Sequence, residues 1–250
     1  MKSPLEPQVL ARSRCISCGA RGPMTREHFW PQWLIERTNT VATGVKWSGG
    51  KKINPKAATF PLCQACNAAF GAELESPVKA IFDDLENERG ISDFEAELLI
   101  RWLWKFEGLV WLMQNPKEGY SRAYQLRDRV LNRLGGIRSH LSLAVSLILR
   151  VDPRHGDAPL GICSINRRNA IFVSAVISKV AIMCFLSEAA QFVPSRFSVY
   201  RLLEGDSAPT STGKLFYPKI GFADDNEAVG VTRLASPALD GFHEAVAESG

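Results

Sequence analysis

Long apolar runs are scarce in this 250-residue chain. The longest, AIFVSAVISKVAIMCFL over 170–186, is interrupted by Lys179 and is shorter than the ~20 residues a membrane helix needs. No apolar stretch follows Lys2, so the expectation is a chain without a secretory signal. Neither an internal repeat nor a low-complexity tract is visible, which argues against a repeat array. Histidine is rare, and His140, His155 and His243 stand isolated, with DPRHGD (152–157) reading as a turn. The hydrophobic fraction of 46% and charged fraction of 22% are ordinary for a globular protein. The expectation is a soluble, cytoplasmic protein with no membrane partner.

What the chain does have is unevenly placed. Residues 1–60 hold ten Lys or Arg against three Glu, a net of +7 within a total of +4. The rest therefore sums to −3. A basic N-terminal part points to a polyanionic partner, nucleic acid being the commonest, or to no more than a solvated basic surface.

Four of the six cysteines form two Cys-x-x-Cys pairs, Cys15/Cys18 and Cys63/Cys66, while Cys163 and Cys184 sit alone among apolar residues. A chain of this size needs no disulfide framework. Two such pairs can supply four thiolates in tetrahedral array, as a structural Zn²⁺ requires, and leave no open position for chemistry. The alternatives are a redox dithiol, for which no βαβ context is present, and unpaired core cysteines. The 44 residues between Cys18 and Cys63 mean that the metal would tie together the ends of a long insertion.

The organisation reads as a loose arm over 1–12, a module over 13–88 and a larger region over 89–250. Inside the module, Ser48-Gly49-Gly50 marks a hairpin. From Asn67, apolar residues Ala69, Phe70, Leu74, Val78, Ile81, Phe82 and Leu85 recur at helical spacing, ending at Asn87–Gly90. A second helix opens at Ser92, with Glu95 completing a capping box, and runs to Asn115. Being apolar nearly all round, it predicts a core helix. Helical pattern resumes over 120–134. Strands are expected at 141–151, 160–166 and 170–178, with a turn at NRRN (166–169). KVAIMCFLSEAAQF reads as strand or helix, and the last fifty residues as short strands at best. The fold class is α+β.

The run CISCG…TREHFWPQWL…PLCQACNAAFGAELESPV resembles the His-Asn-His (HNH, or ββα-metal) endonucleases. It is most similar to the zinc-stapled branch with Cys-x-x-Cys, Glu-His-x-x-Pro and Cys-x-x-Cys-Asn. The resemblance covers residues 15 to about 82, and Trp102-x-x-Lys105 is similar to the region that follows the nuclease in such proteins. It implies a ββα module in which a hairpin strand presents Glu27 and His28 and a helix presents Asn67. The implied activity is hydrolysis of DNA phosphodiesters. His28 would activate water, and Glu27 and Asn67 would ligate Mg²⁺ or Mn²⁺ through oxygen. Cys15, Cys18, Cys63 and Cys66 would hold the zinc. Two positions depart from the pattern. Ala58 stands where a middle Asn would orient the histidine, and Gly71 stands where a second His is common. Glu75, eight residues after Asn67 on the same helix face, is a weaker candidate ligand.

Other readings stay open: Glu27-His28 as a surface pair, Asn67 as an N-cap, Glu75 as a salt-bridged helix carboxylate. Arg21, Arg26, Lys46, Lys51, Lys52 and Lys56 are the candidate phosphate contacts, or simply solubilising charges. Trp30 and Trp33 are expected to pack the module's core. The chief alternative function is a zinc-stabilised nucleic-acid-binding or protein-interaction module without catalysis. Residues 89–250 carry no chemical motif; recognising a target, homo-oligomerising and sensing a signal are all open to them.

Overall fold

The computed structural model describes residues 14–46, 52–114, 125–151, 171–205 and 216–249. The expected arm (1–12), the hairpin tip 47–51 with Lys51, the strand at 160–166 and the turn at 166–169 lie outside them, as do Cys163, His155 and DPRHGD. So does the start of the helical pattern at 120–124.

Near the N-terminus, β1 (Met24–His28) is followed by α1 (Gln32–Arg37), α2 (Thr40–Thr43), β2 (Val45–Lys46) and β3 (Lys52–Ile53). The chain then enters β4 (Thr59–Cys63). β2 and β3 pair antiparallel, as the glycine-rich hairpin pattern predicts. β1 pairs antiparallel with β4, with Met24 opposite Cys63 and His28 opposite Thr59. Phe60 and Leu62 on β4 are buried, so the face they share with Glu27 and Thr25 turns inward.

The helix expected from Asn67 is present but not regular. α3 (Gln64–Phe70) widens into one π-helical turn over Gly71–Glu75 before α4 (Ser76–Glu86) continues. Pro77 explains the fault. It has no N–H, and in a regular helix its ring would strike the carbonyl four residues back. Widening by one residue rotates everything beyond it by about 100°. Glu75, the last residue of that turn, lies in the core and is 7% exposed.

α5 (Asp93–Gln114) opens with the expected capping box. The Ser92 N–H donates to Glu95 Oε2 at 2.6 Å, and the Glu95 N–H donates to Ser92 Oγ at 3.3 Å. Next come α6 (Leu126–Leu131), β5 (Leu141–Arg150), β6 (Val173–Ile177) and β7 (Val180–Leu186). The ambiguous segment is thus strand to Leu186, then a 3₁₀ turn over Ser187–Phe192. β8 (Ser198–Arg201) and β9 (Ile220–Asp224) complete a five-stranded sheet in the order β6-β7-β5-β8, with β9 parallel to β5.

The last fifty residues correct the expectation of short strands. They carry α7 (Asp225–Ser249), a 25-residue helix. Its start is another reciprocal cap, missed by the sequence reading: Asp224 Oδ1 accepts from the Glu227 N–H, and Glu227 Oε2 accepts from the Ala223 N–H. Ala228, Ala235 and Leu239 cover one sheet face together with Phe172, Met183 and Phe185. The other face, with Leu143, Val145 and Ile182, joins a single apolar cluster. That cluster takes in α4, α5 and the first module, so it crosses residue 88 without a break. Helices lie on both sides of the sheet, which is why its strands are almost continuously apolar. Among the described residues no helix is long and apolar enough to cross a membrane.

Glu97 is the ionic centre of the C-terminal half. Its two oxygens accept from Arg133 Nε at 2.6 Å, Arg133 Nη2 at 2.9 Å and Arg138 Nε at 2.8 Å. Burial pushes its carboxyl up, and the guanidiniums more than reverse this, leaving it below the usual range. Glu97→Ala takes the shared carboxylate away from Arg101, Arg133 and Arg138 and is expected to cost about 3–5 kcal/mol, read from the midpoint of chemical denaturation.

His243 is buried, accepting from the Leu186 N–H at 2.9 Å and donating from Nδ1 to the Leu239 carbonyl at 2.5 Å. Burial lowers its pKa below the ordinary 6.5. The unfolded chain then binds a proton that the folded chain refuses, so stability is full above that value and falls as pH drops below it. Relative to His243→Gln, the wild type is expected to lose stability on acidification from pH 7 to 5, followed as paired denaturation midpoints.

Candidate functional site

The first knuckle is a tight turn. The Gly19 N–H donates to the Cys15 carbonyl at 2.8 Å, with Gly19 at φ +71°, a conformation glycine adopts freely. The Ile16 N–H donates to the Pro61 carbonyl at 3.0 Å and lashes the turn to β4. The second knuckle needs no loop of its own. β4 ends on Cys63, which caps α3, and Cys66 lies in the first helical turn. The sulfurs of Cys15, Cys18, Cys63 and Cys66 all lie within 4.8 Å of one another. Cys18 Sγ and Cys63 Sγ are 3.8 Å apart. A tetrahedron with ~2.3 Å Zn–S bonds has edges of about 3.8 Å, so the donor set fits a metal such as zinc.

The thiols are electrostatically unequal. A hydrogen bond from Cys66 draws the Cys15 pKa down to about 4. The same bond, with burial, pushes Cys66 up. Four sulfurs this close cannot all ionise without a cation between them.

The clasp positions β1 and α3. His28 ends β1, half-buried, and the Phe29 N–H donates to the Ala58 carbonyl at 2.8 Å. No hydrogen bond reaches the His28 ring or the Asn67 amide among the described residues. Asn67 lies inside α3 and not at its N-cap, which is Cys63. Strand alternation sets Arg26 on the same face as His28, and Arg26 is exposed. Thr59, directly opposite His28, belongs to this face too. Glu27 goes to the inner face.

There Glu27 meets a residue to which the sequence reading gave no role. Lys105 Nζ, on α5, is 3.1 Å from Glu27 Oε1 and 2.5 Å from Glu75 Oε1. Its side chain is fully buried, with the ammonium 5.1 Å from the centre of the Phe70 ring. Burial alone would lower its pKa, but Glu75 and Glu27 outweigh burial and raise it. Glu75 Oε2 accepts from the indoles of Trp33 and Trp102, each at 3.0 Å. Both Glu75 oxygens are thus committed, matching the salt-bridged alternative and not a free ligand. One signal for Lys105 was present: a lysine on a helix that is apolar all round needs a buried partner.

Arg21, Lys52 and Lys56 are exposed, as phosphate contacts must be. Lys46 lies in β2, its side chain outside the description. Trp30 is buried, and Trp33 packs on Trp102 with centroids 5.8 Å apart, as core roles require. The chain matches no family model, no curated protein and no solved structure among those compared.

Zinc analysis of protein purified without chelator is expected to return one zinc per chain. Cys63→Ser is expected to lose the metal and lower the melting temperature.

Proposed function

We propose that the protein is a zinc-stapled HNH-type endonuclease that hydrolyses DNA. The observation that carries the reading is the arrangement around the clasp. A cysteine cluster suited to zinc joins an antiparallel strand pair to a helix. At the end of one strand stands a half-buried histidine with an unengaged ring.

In this reading a ring nitrogen of His28 takes the proton of the attacking water. Arg26 on the same strand face, with Arg21, Lys52 and Lys56, holds the phosphate backbone without reading sequence. Glu27 Oε2 and the Asn67 amide oxygen are hard donors with no other partner among the described residues, and they suit Mg²⁺ or Mn²⁺. When bound, that ion would neutralise charge on the scissile phosphate and the leaving oxygen. The zinc takes no chemical step, since four thiolates complete its coordination. A cytoplasmic setting and homo-oligomerisation through the C-terminal region belong to the same proposal.

A second reading is a zinc-stabilised nucleic-acid-binding or protein-interaction module without catalysis. The observation in its favour is the Glu27 carboxylate, which already has a buried ammonium as counter-ion. Ala58 likewise offers His28 no side-chain acceptor.

Purified protein incubated with supercoiled plasmid in Mg²⁺ or Mn²⁺ is expected to nick or linearise it. His28→Ala is expected to be about 10²- to 10⁴-fold slower. Equal cleavage by both would remove His28 from the role of base. Binding without cleavage in either metal would favour the second reading.

A further inference from the structure

We propose that Lys105 is a positioning residue for the catalytic cation: its ammonium holds one oxygen of Glu27 and so aims the other at the ion. The inference rests on the nuclease reading above.

Three features of the network carry it. First, the network is anchored on one side. Glu75 is fixed by two indole N–H groups at 3.0 Å and by Lys105 at 2.5 Å, so it cannot swing. The lysine is fixed in turn, and Glu27 is what it holds in place. Second, the exposures run in order. The side chain of Lys105 is 0% exposed, that of Glu75 9% and that of Glu27 16%. Glu27 is therefore the member that reaches toward the surface, with Oε2 unengaged among the described residues. Third, two carboxylates around one ammonium leave a net charge of −1, so the trio still attracts a cation.

Joining β1 to α5 does not by itself require charge. Phe29 of the segment after β1 already packs edge-on against Phe106 of α5, with centroids 5.5 Å apart. Apolar packing of that kind serves adhesion at least as well as a buried ion pair, whose desolvation cost offsets its attraction. What the ion pair adds is orientation, and metal-ligating carboxylates are regularly held by such an outer partner.

The test begins with the wild-type protein. Titration with Mn²⁺, followed by NMR of the indole N–H groups, is expected to broaden Trp33 and Trp102 before Trp104. The first two bond Glu75, whereas the Trp104 indole bonds the Ile171 carbonyl. Mn²⁺ affinity is then measured from the free-ion electron paramagnetic resonance signal in wild type, Lys105→Met and Lys105→Arg, with zinc content and thermal unfolding confirming the fold. Lys105→Met is expected to bind Mn²⁺ about 10- to 100-fold more weakly, and Lys105→Arg to recover most of the loss. If Lys105→Met does not fold, the wild-type broadening and Lys105→Arg decide. Uniform broadening of all indoles, or unchanged Mn²⁺ affinity in a folded Lys105→Met, overturns the role of Lys105. With wild-type plasmid cleavage intact, either result leaves the nuclease reading standing. A wild type that neither binds Mn²⁺ nor cuts plasmid overturns both.

Discussion

Four sulfur atoms crowded within 4.8 Å constrain everything else in the N-terminal part. Without a cation their charges repel; with one they become the strongest fixed point in the chain. The clasp joins a turn at residues 15–18 to the junction of β4 and α3, so it acts where strand becomes helix. The strand pair gains a register, and α3 gains an origin. His28 and Asn67, 39 positions apart in sequence, are both placed relative to that point.

A second tie runs at right angles to the first in function. The clasp is local to one module, whereas Lys105 reaches Glu27 and Glu75 from α5, a helix expected to lie in a separate region. One apolar cluster fills the space around it, from Cys15 through Phe82 and Trp102 to Leu202. The candidate site is therefore supported from both sides, by a metal-ready cluster and by the core of the larger half.

Much of this was legible from residue types alone. The paired cysteines, the capping box at Ser92 and Glu95, the strands β5 and β6 and the packing of Trp30 and Trp33 all follow from local rules. Three things were not. The π turn depends on how a helix accommodates Pro77, and periodicity read as continuous hides a phase shift of one residue. α7 begins at a reciprocal Asp224–Glu227 cap that was passed over because the last fifty residues were read as a whole, from their Gly, Pro, Asp and Ser content. Lys105 needed long-range information: a buried lysine announces that an acid lies near it but not which one. Its partners sit 78 and 30 positions away.

The buried ammonium also bears on how this architecture can be divided. A segment cut at residue 88 would carry all four cysteines, His28 and Asn67, and would look self-contained on paper. It would also lack the ammonium that joins Glu27 to Glu75, and would bare Phe70 and Phe82 to water. The zinc-ready fragment is thus not a portable cassette. Any exchange of parts between such proteins would have to carry α5 with it.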